Sequence, residues 1–174
     1  MLRLILIYGL ISGLVIEAAT LIGIVAGAEN GVSVWLGYLV MLAGLTLVFA
    51  GVKRYRDDLP EGRISFLKAL GVGLGIAGVA NVIYVLGWEI YLAATGYRFI
   101  DEYAASLLAS HAQDAPAALA KVQAQVDDMR KLYANPVSRM GVTFIEMAPV
   151  GVGVSILSAA LLRFPKVWPR KQSV

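Results

Sequence analysis

Two carboxylates stand where an apolar chain should carry none. Glu17 interrupts the run Leu4 to Ala26, and Glu146 lies near the middle of the stretch Asn135 to Pro165. A charge in hydrocarbon costs several kcal/mol, roughly 2.5 to 3.5 at a helix centre, so each acid should be neutralised, paired or turned to a wet cavity. Pro149 follows Glu146 by three residues. Lacking an N–H, it leaves the carbonyl of Ile145 without its helical donor, and it is expected to break or kink the helix beside the carboxylate. Two acceptors at membrane depth want a proton or a cation between them. Asn81 and Tyr84, in a third apolar run, are the side chains available as hydrogen-bonding partners.

Counting 1.5 Å per residue from the cytoplasmic end of each run places Glu17 at about 20 Å, Asn81 at about 22 Å and Glu146 at about 18 Å, one polar layer. No Lys or Arg occupies the middle of any run. The layer reads in two ways. It is a proton or cation pathway, or it is a carboxyl bonded to a backbone carbonyl or to Asn81 that holds helices together. Glu89 and Arg139 belong to the outer mouth. Glu89 can pair with Arg98 or Arg139, and Arg139, seven residues before Glu146, closes the outer side or anchors the interface.

Other chemistry is excluded or remote. With no cysteine and one histidine, His111, the chain offers no disulfide, no thiolate and no His-rich metal site. No metal or cofactor is expected. Ser12, Ser155 and Ser158 have no histidine or lysine at depth to activate them, so an intramembrane enzyme is the third-ranked reading.

The elements that must position these groups are membrane spans. Hydrophobic residues make up 59% of the 174 and charged residues 16%, against about 25% charged in soluble domains. Mean hydropathy is +0.73. About 20 apolar residues cover a bilayer core, and four runs suffice, over about 4–26, 32–52, 66–96 and 138–163. A signal peptide competes for the first run, because Arg3 precedes it and residues 26–28 are small. The run is too long for that, and an acid within it is atypical. Gly27 to Gly31 reads as a turn and Lys53 to Ser65 as a polar loop. The third run is long enough to tilt or protrude, so Trp88 and Tyr91 are expected at the far interface.

Glycines recur at helical spacing: Gly9 with Gly13, Gly23 with Gly27, then Gly37, Gly44 and Gly51, then Gly71, Gly75 and Gly78. Such stripes let helix backbones approach closely in lipid, within the chain or between copies.

Residues 97–136 are polar and alanine-rich. Phe99 to Ser110 predicts one helix, and Asp114 with Pro116 starts another, as an acidic cap and an early proline. In the second, Leu119, Val122, Val126, Met129 and Tyr133 share one face. The insert is thus an amphipathic helical hairpin over one mouth of the bundle, with Asp127, Asp128, Arg130 and Lys131 on its solvated side.

Orientation follows from the basic residues. Arg3, Lys53, Arg54, Arg56, Arg63, Lys68, Arg163, Lys166, Arg170 and Lys171 fall on one side, and Arg98, Lys121, Arg130, Lys131 and Arg139 on the other. The positive-inside rule places both termini in the cytoplasm and residues 97–136 outside a bacterial inner membrane. The basic residues punctuate apolar runs and form no single patch, so no nucleic-acid partner is expected.

Several segments occur in order along the chain: Lys53-Arg54-Tyr55-Arg56-Asp57, Ile64-Ser65-Phe66 with Lys68-Ala69, Ile83-Tyr84-Val85 with Trp88, Tyr103, and Tyr133-Ala134-Asn135-Pro136. Thr143-Phe144-Ile145-Glu146 with Pro149-Val150-Gly151, then Leu157-Ser158-Ala159-Ala160 and Leu162-Arg163, complete the set. Together they resemble the bacterial membrane family catalogued as domain of unknown function 4199. The resemblance covers nearly the whole chain. It implies four spans with a polar helical insert before the last, and it brings no activity with it.

The expectation is an all-α integral membrane protein: four transmembrane helices, with an extracytoplasmic amphipathic hairpin between the third and fourth. Two functions fit. One is a small proton- or cation-linked channel or carrier using Glu17 and Glu146, working as a homo-oligomer because four helices are few for alternating access. The other is an accessory or assembly subunit in the lipid bilayer, docking a membrane-protein partner through its glycine faces and outer hairpin.

Overall fold

In a computed structural model the described residues are 1–27, 34–164 and 168–169, with the side chains of 26, 27, 34 and 36 left aside. They form six helices and no strand: α1 (Leu2–Gly27), α2 (Val34–Asp57), α3 (Phe66–Ala94), α4 (Phe99–Ser110), α5 (Pro116–Ala134) and α6 (Pro136–Leu162). Four are long and apolar enough to cross a bilayer, over Leu2–Val25, Gly37–Asp57, Phe66–Ala94 and Pro136–Leu162. Large apolar side chains stay exposed along them, among them Leu6, Leu10, Leu14, Trp35, Leu39, Leu67, Ile90 and Leu157. In water this surface would drive aggregation; in lipid it is the solvated face. The chain is an all-α integral membrane protein with four transmembrane helices. The turn expected over Gly27 to Gly31 and the first residues of the second span lie largely outside the described residues, as do Lys166, Arg170 and Lys171.

Local chemistry sets the helix ends. α2 runs five residues past the expected Val52 end, since the Lys53 ammonium pairs with Asp57 one turn on and Arg54 with Asp58. α3 stops at Ala94 because Gly96 (φ 66°) and Tyr97 (φ 57°) enter the left-handed region, and the Tyr97 N–H returns to the Leu92 carbonyl. Asn135 separates α5 from α6, its Oδ1 accepting from the amides of Val137 and Ser138, with Pro136 at the first helical position. The expected acidic cap on α5 is corrected. Ala115 is the cap residue and makes no side-chain bond, so Pro116 alone sets the start.

The chain divides into two compact units. The first comprises Met1–Tyr84 and Glu146–Val174. Its core is Ile16, Met41, Leu45, Val48, Val52, Val72, Ile76, Ala80, Met147, Ala159 and Leu162 with neighbours, and α1 packs along α2. Glycine makes the approach possible. A Cβ at Gly9 would sit 2.5 Å from that of Val79, and one at Gly13 2.8 Å from the Ala80 carbonyl oxygen. Gly44 abuts Ile16, Gly51 abuts Ile76 and Tyr8, and Gly75 abuts Ile5. Ser12 adds a hydrogen bond to the Gly44 carbonyl at 2.8 Å. Gly37, Gly71 and Gly78 have nothing within 4 Å, so within the described chain they are not close-approach residues. Gly73, against Ser155, and Gly151, against Ala77, supply contacts that the stripes did not single out.

Arg56 is 1% exposed. Its guanidinium donates to Asp57 and to the Trp168 carbonyl, so a residue read as a topology charge ties α2 to the C-terminal segment.

The second unit, Val85–Ile145, holds the end of α3, the α4–α5 hairpin and the start of α6. α4 and α5 pack as neighbours, and Arg130 of α5 pairs with Asp101 of α4 across the hairpin at 3.1 Å. The apolar face of α5 is as expected, with Val126 buried and Leu119, Val122, Met129 and Tyr133 half-buried. Trp88, expected at the far interface with Tyr91, is 6% exposed, stacked on Tyr91 and edge-on to Phe99.

The two glycine classes separate by mutation. Gly13→Ala is expected to lower stability by about 1–3 kcal/mol, since the added methyl overpacks against backbone. Gly71→Ala should be neutral or stabilising by up to about 1 kcal/mol, because it gains helix propensity in open space. Unfolding of both variants in detergent micelles checks the pair, and equal effects would contradict it.

Candidate functional site

The residues singled out in the sequence fall into three environments. Glu17 extends the buried face of α1 that carries Gly9 and Gly13, each four residues on. It is 8% exposed, and neither carboxylate oxygen has a hydrogen-bond partner among the described residues. The expected bond to Asn81 or to a backbone carbonyl is therefore not made. Asn81 (3% exposed) and Tyr84 (5%) are buried in the same unit. The backbone approach at Gly9 and Gly13 seals this face.

Glu146 is elsewhere. It is exposed, and so are Pro149, Val152, Ile156 and Leu157 farther along α6. The buried face of this helix carries Met147, Gly151, Ser155, Ser158 and Leu162, and Glu146 stands about 100° round the helix from Met147. The single polar layer expected from depth alone is thus not assembled: Glu17 and Asn81 point into the bundle and Glu146 points out of it. Equal depth fixes height along a helix and leaves its rotation open. Nor is α6 broken at Pro149. It runs as one helix from Pro136 to Leu162, as transmembrane helices tolerate, although the Ile145 carbonyl still lacks its helical donor. The serines Ser12, Ser155 and Ser158 each donate to a backbone carbonyl.

The third environment is in the Val85–Ile145 unit. Of the two cations offered to Glu89, Arg139 takes it and Arg98 does not; Arg98 donates to the Thr95 carbonyl. The pair is bidentate, Nε to Oε1 at 2.7 Å and Nη2 to Oε2 at 2.6 Å, while Nη1 donates to the Tyr133 carbonyl at 2.7 Å. The guanidinium carbon lies 4.8 Å from the Tyr97 ring centre, a cation–π contact. Arg139 is 5% exposed, so it does not share the setting of Glu146. Beside it opens a cavity of about 470 Å³ lined by Leu92, Tyr97, Ile100, Asp101, Arg130, Tyr133, Ala134, Pro136 and Arg139. The Arg130–Asp101 pair on it is largely exposed and holds with only about 0–1 kcal/mol.

Sequence reasoning placed Arg130 on a solvated helix face and passed over Asp101 and Tyr97. No spacing in the sequence paired 101 with 130: residue 101 lies nine residues before the end of α4 and residue 130 fourteen after the start of α5. Among the described residues no group of His, Asp and Glu could hold a metal ion.

A family profile described as "Protein of unknown function (DUF4199)" matches residues 7–163. The chain belongs to this family. No curated protein and no solved structure matches. The matched span takes in α2 to α6 whole and most of α1, so this DUF4199 member carries Glu17, Glu146 and the Glu89–Arg139 pair all inside the family region.

Two substitutions separate the buried acids. Glu17→Met should raise stability by about 1–3 kcal/mol, because it removes a buried group whose hydrogen bonds are unmade; a melt in detergent that falls would show a partner for the carboxyl. Arg139→Gln should cost about 3–5 kcal/mol by stranding Glu89. Adding Glu89→Gln should recover part of that loss in the same melt.

Proposed function

We propose that this DUF4199 protein is a non-transporting membrane subunit that docks a partner transmembrane helix on the outer face of α6. The observation that carries the reading is the position of Glu146. It lies ten residues into α6, counting from 136 to 146, hence about 15 Å from the helix start, on an exposed face shared with Val152, Ile156 and Leu157. Facing lipid, a carboxylate at that depth is costly; against a helix bearing Lys or Arg, it is a docking element.

Charge complementarity selects the occupant. The basic residues of the spans sit at their ends: Arg3, Lys53, Arg54, Arg56, Lys68 and Arg139. A second copy of this chain therefore offers Glu146 no cation at mid-depth. The partner that fits is a different membrane protein with a Lys or Arg near the middle of a span. A proton- or cation-linked route through one protomer finds less support, since Glu17 is sealed in the bundle while Glu146 is outside it.

The test uses a Leu-rich single-span peptide with one central Lys, reconstituted with the full chain in liposomes and followed by energy transfer. It should associate about tenfold or more tightly with the wild type than an all-Leu control does, and lose that advantage in Glu146→Leu. Equal association of the two peptides, homodimers that dissolve in Glu146→Leu, or proton flux that needs Glu146 would each overturn the reading.

A further inference from the structure

We propose that the cavity of the Val85–Ile145 unit binds a small amphiphile carrying a single oxyanion group, a ligand unrelated to Glu146 and its partner. Its volume, about 470 Å³, lies within the range of small-molecule sites. Leu92, Ile100, Ala134 and Pro136 give it an apolar wall, and the charged groups gather as Arg130, Arg139 and Asp101. Each guanidinium already faces one carboxylate, Arg139 that of Glu89 and Arg130 that of Asp101, so the site is neutral overall and admits a single oxyanion where the exposed Asp101 can be displaced from Arg130.

The two arginines take different parts. Arg139 is fixed: its three hydrogen bonds to Glu89 and the Tyr133 carbonyl set the plane of the guanidinium, and of its five N–H groups two remain outside those bonds. Arg130 is adjustable. It is about half exposed and, among the described residues, its ion pair is with a still more exposed Asp101, so it can exchange that carboxylate for a ligand's oxyanion without uncovering a buried charge. Tyr97 gives independent support. A non-glycine residue held at φ 57° marks local strain, and here the strained residue sets its ring against the Arg139 guanidinium at the cavity wall. The apolar wall takes the body of the ligand, and the arginines take its head through charge-assisted hydrogen bonds.

A phospholipid head group and a soluble aromatic or aliphatic acid share this chemistry. Full-length protein in phosphatidylcholine nanodiscs, titrated calorimetrically with benzenesulfonate, tests the soluble source. Native mass spectrometry of the protein released from discs containing phosphatidylglycerol tests the lipid. One of the two should bind at one per chain, while benzenesulfonamide and phosphatidylcholine should not. Arg130→Gln should weaken binding about tenfold or more by removing one charge-assisted contact. Ala134→Trp, at an exposed position on the wall, should abolish binding by filling the space, with both variants melting as the wild type does. Binding of neither probe, equal binding of the neutral analogues, or affinity unchanged in both variants would overturn the proposal.

Discussion

In a bilayer two helices gain little by expelling solvent from between them, because the lipid tails are as apolar as their side chains. What holds the first unit together is dispersion at contacts so close that no side chain fits in the gap. Gly9 and Gly13 meet Val79, Ala80 and Ile83, Gly44 meets Ile16, and Gly73 meets Ser155. These contacts fix how far each helix is rotated about its axis. Rotation then decides the fate of every polar group on a span. Glu17, one turn beyond Gly13, is carried into the sealed interior, and Ser12 is brought to the Gly44 carbonyl.

The same constraint turns Glu146 outward. Once Met147, Gly151, Ser155, Ser158 and Leu162 are committed to the interior, the residue before Met147 has nowhere else to point. A carboxylate on the outer face of an otherwise apolar helix is costly in lipid, and the basic residues of the described spans lie at the span ends. The two acids, similar in sequence context, thus have opposite consequences. One is a sealed polar burden on the bundle and the other an outward-facing polar element.

The Val85–Ile145 unit is built by other means. It rests on an aromatic series, Tyr91, Trp88, Phe99 and Tyr103, and on the bidentate Glu89–Arg139 pair. Such a pair is expensive to desolvate and more expensive to break. Its geometry pins α6 to α3 at this level and leaves a space beside Arg139 that close glycine packing would have filled. A part-buried ion pair therefore coexists with a cavity here, whereas the first unit has glycine contacts and an acid with no hydrogen-bond partner among the described residues.

Composition and run length alone determined the four spans, the hairpin helices Phe99–Ser110 and Pro116–Ala134, and the break at Asn135-Pro136, because length, periodicity and proline act within a few residues of themselves. The ordered segments determined the family as well. The facing of Glu17 and Glu146, the glycines that make contact, the choice of Arg139 over Arg98 for Glu89 and the burial of Arg56 were decided only in three dimensions. The physical reason is that a helix apolar on all sides has no amphipathic phase to show which side goes in. Depth could be counted from the chain, but rotation was set by the neighbouring helices.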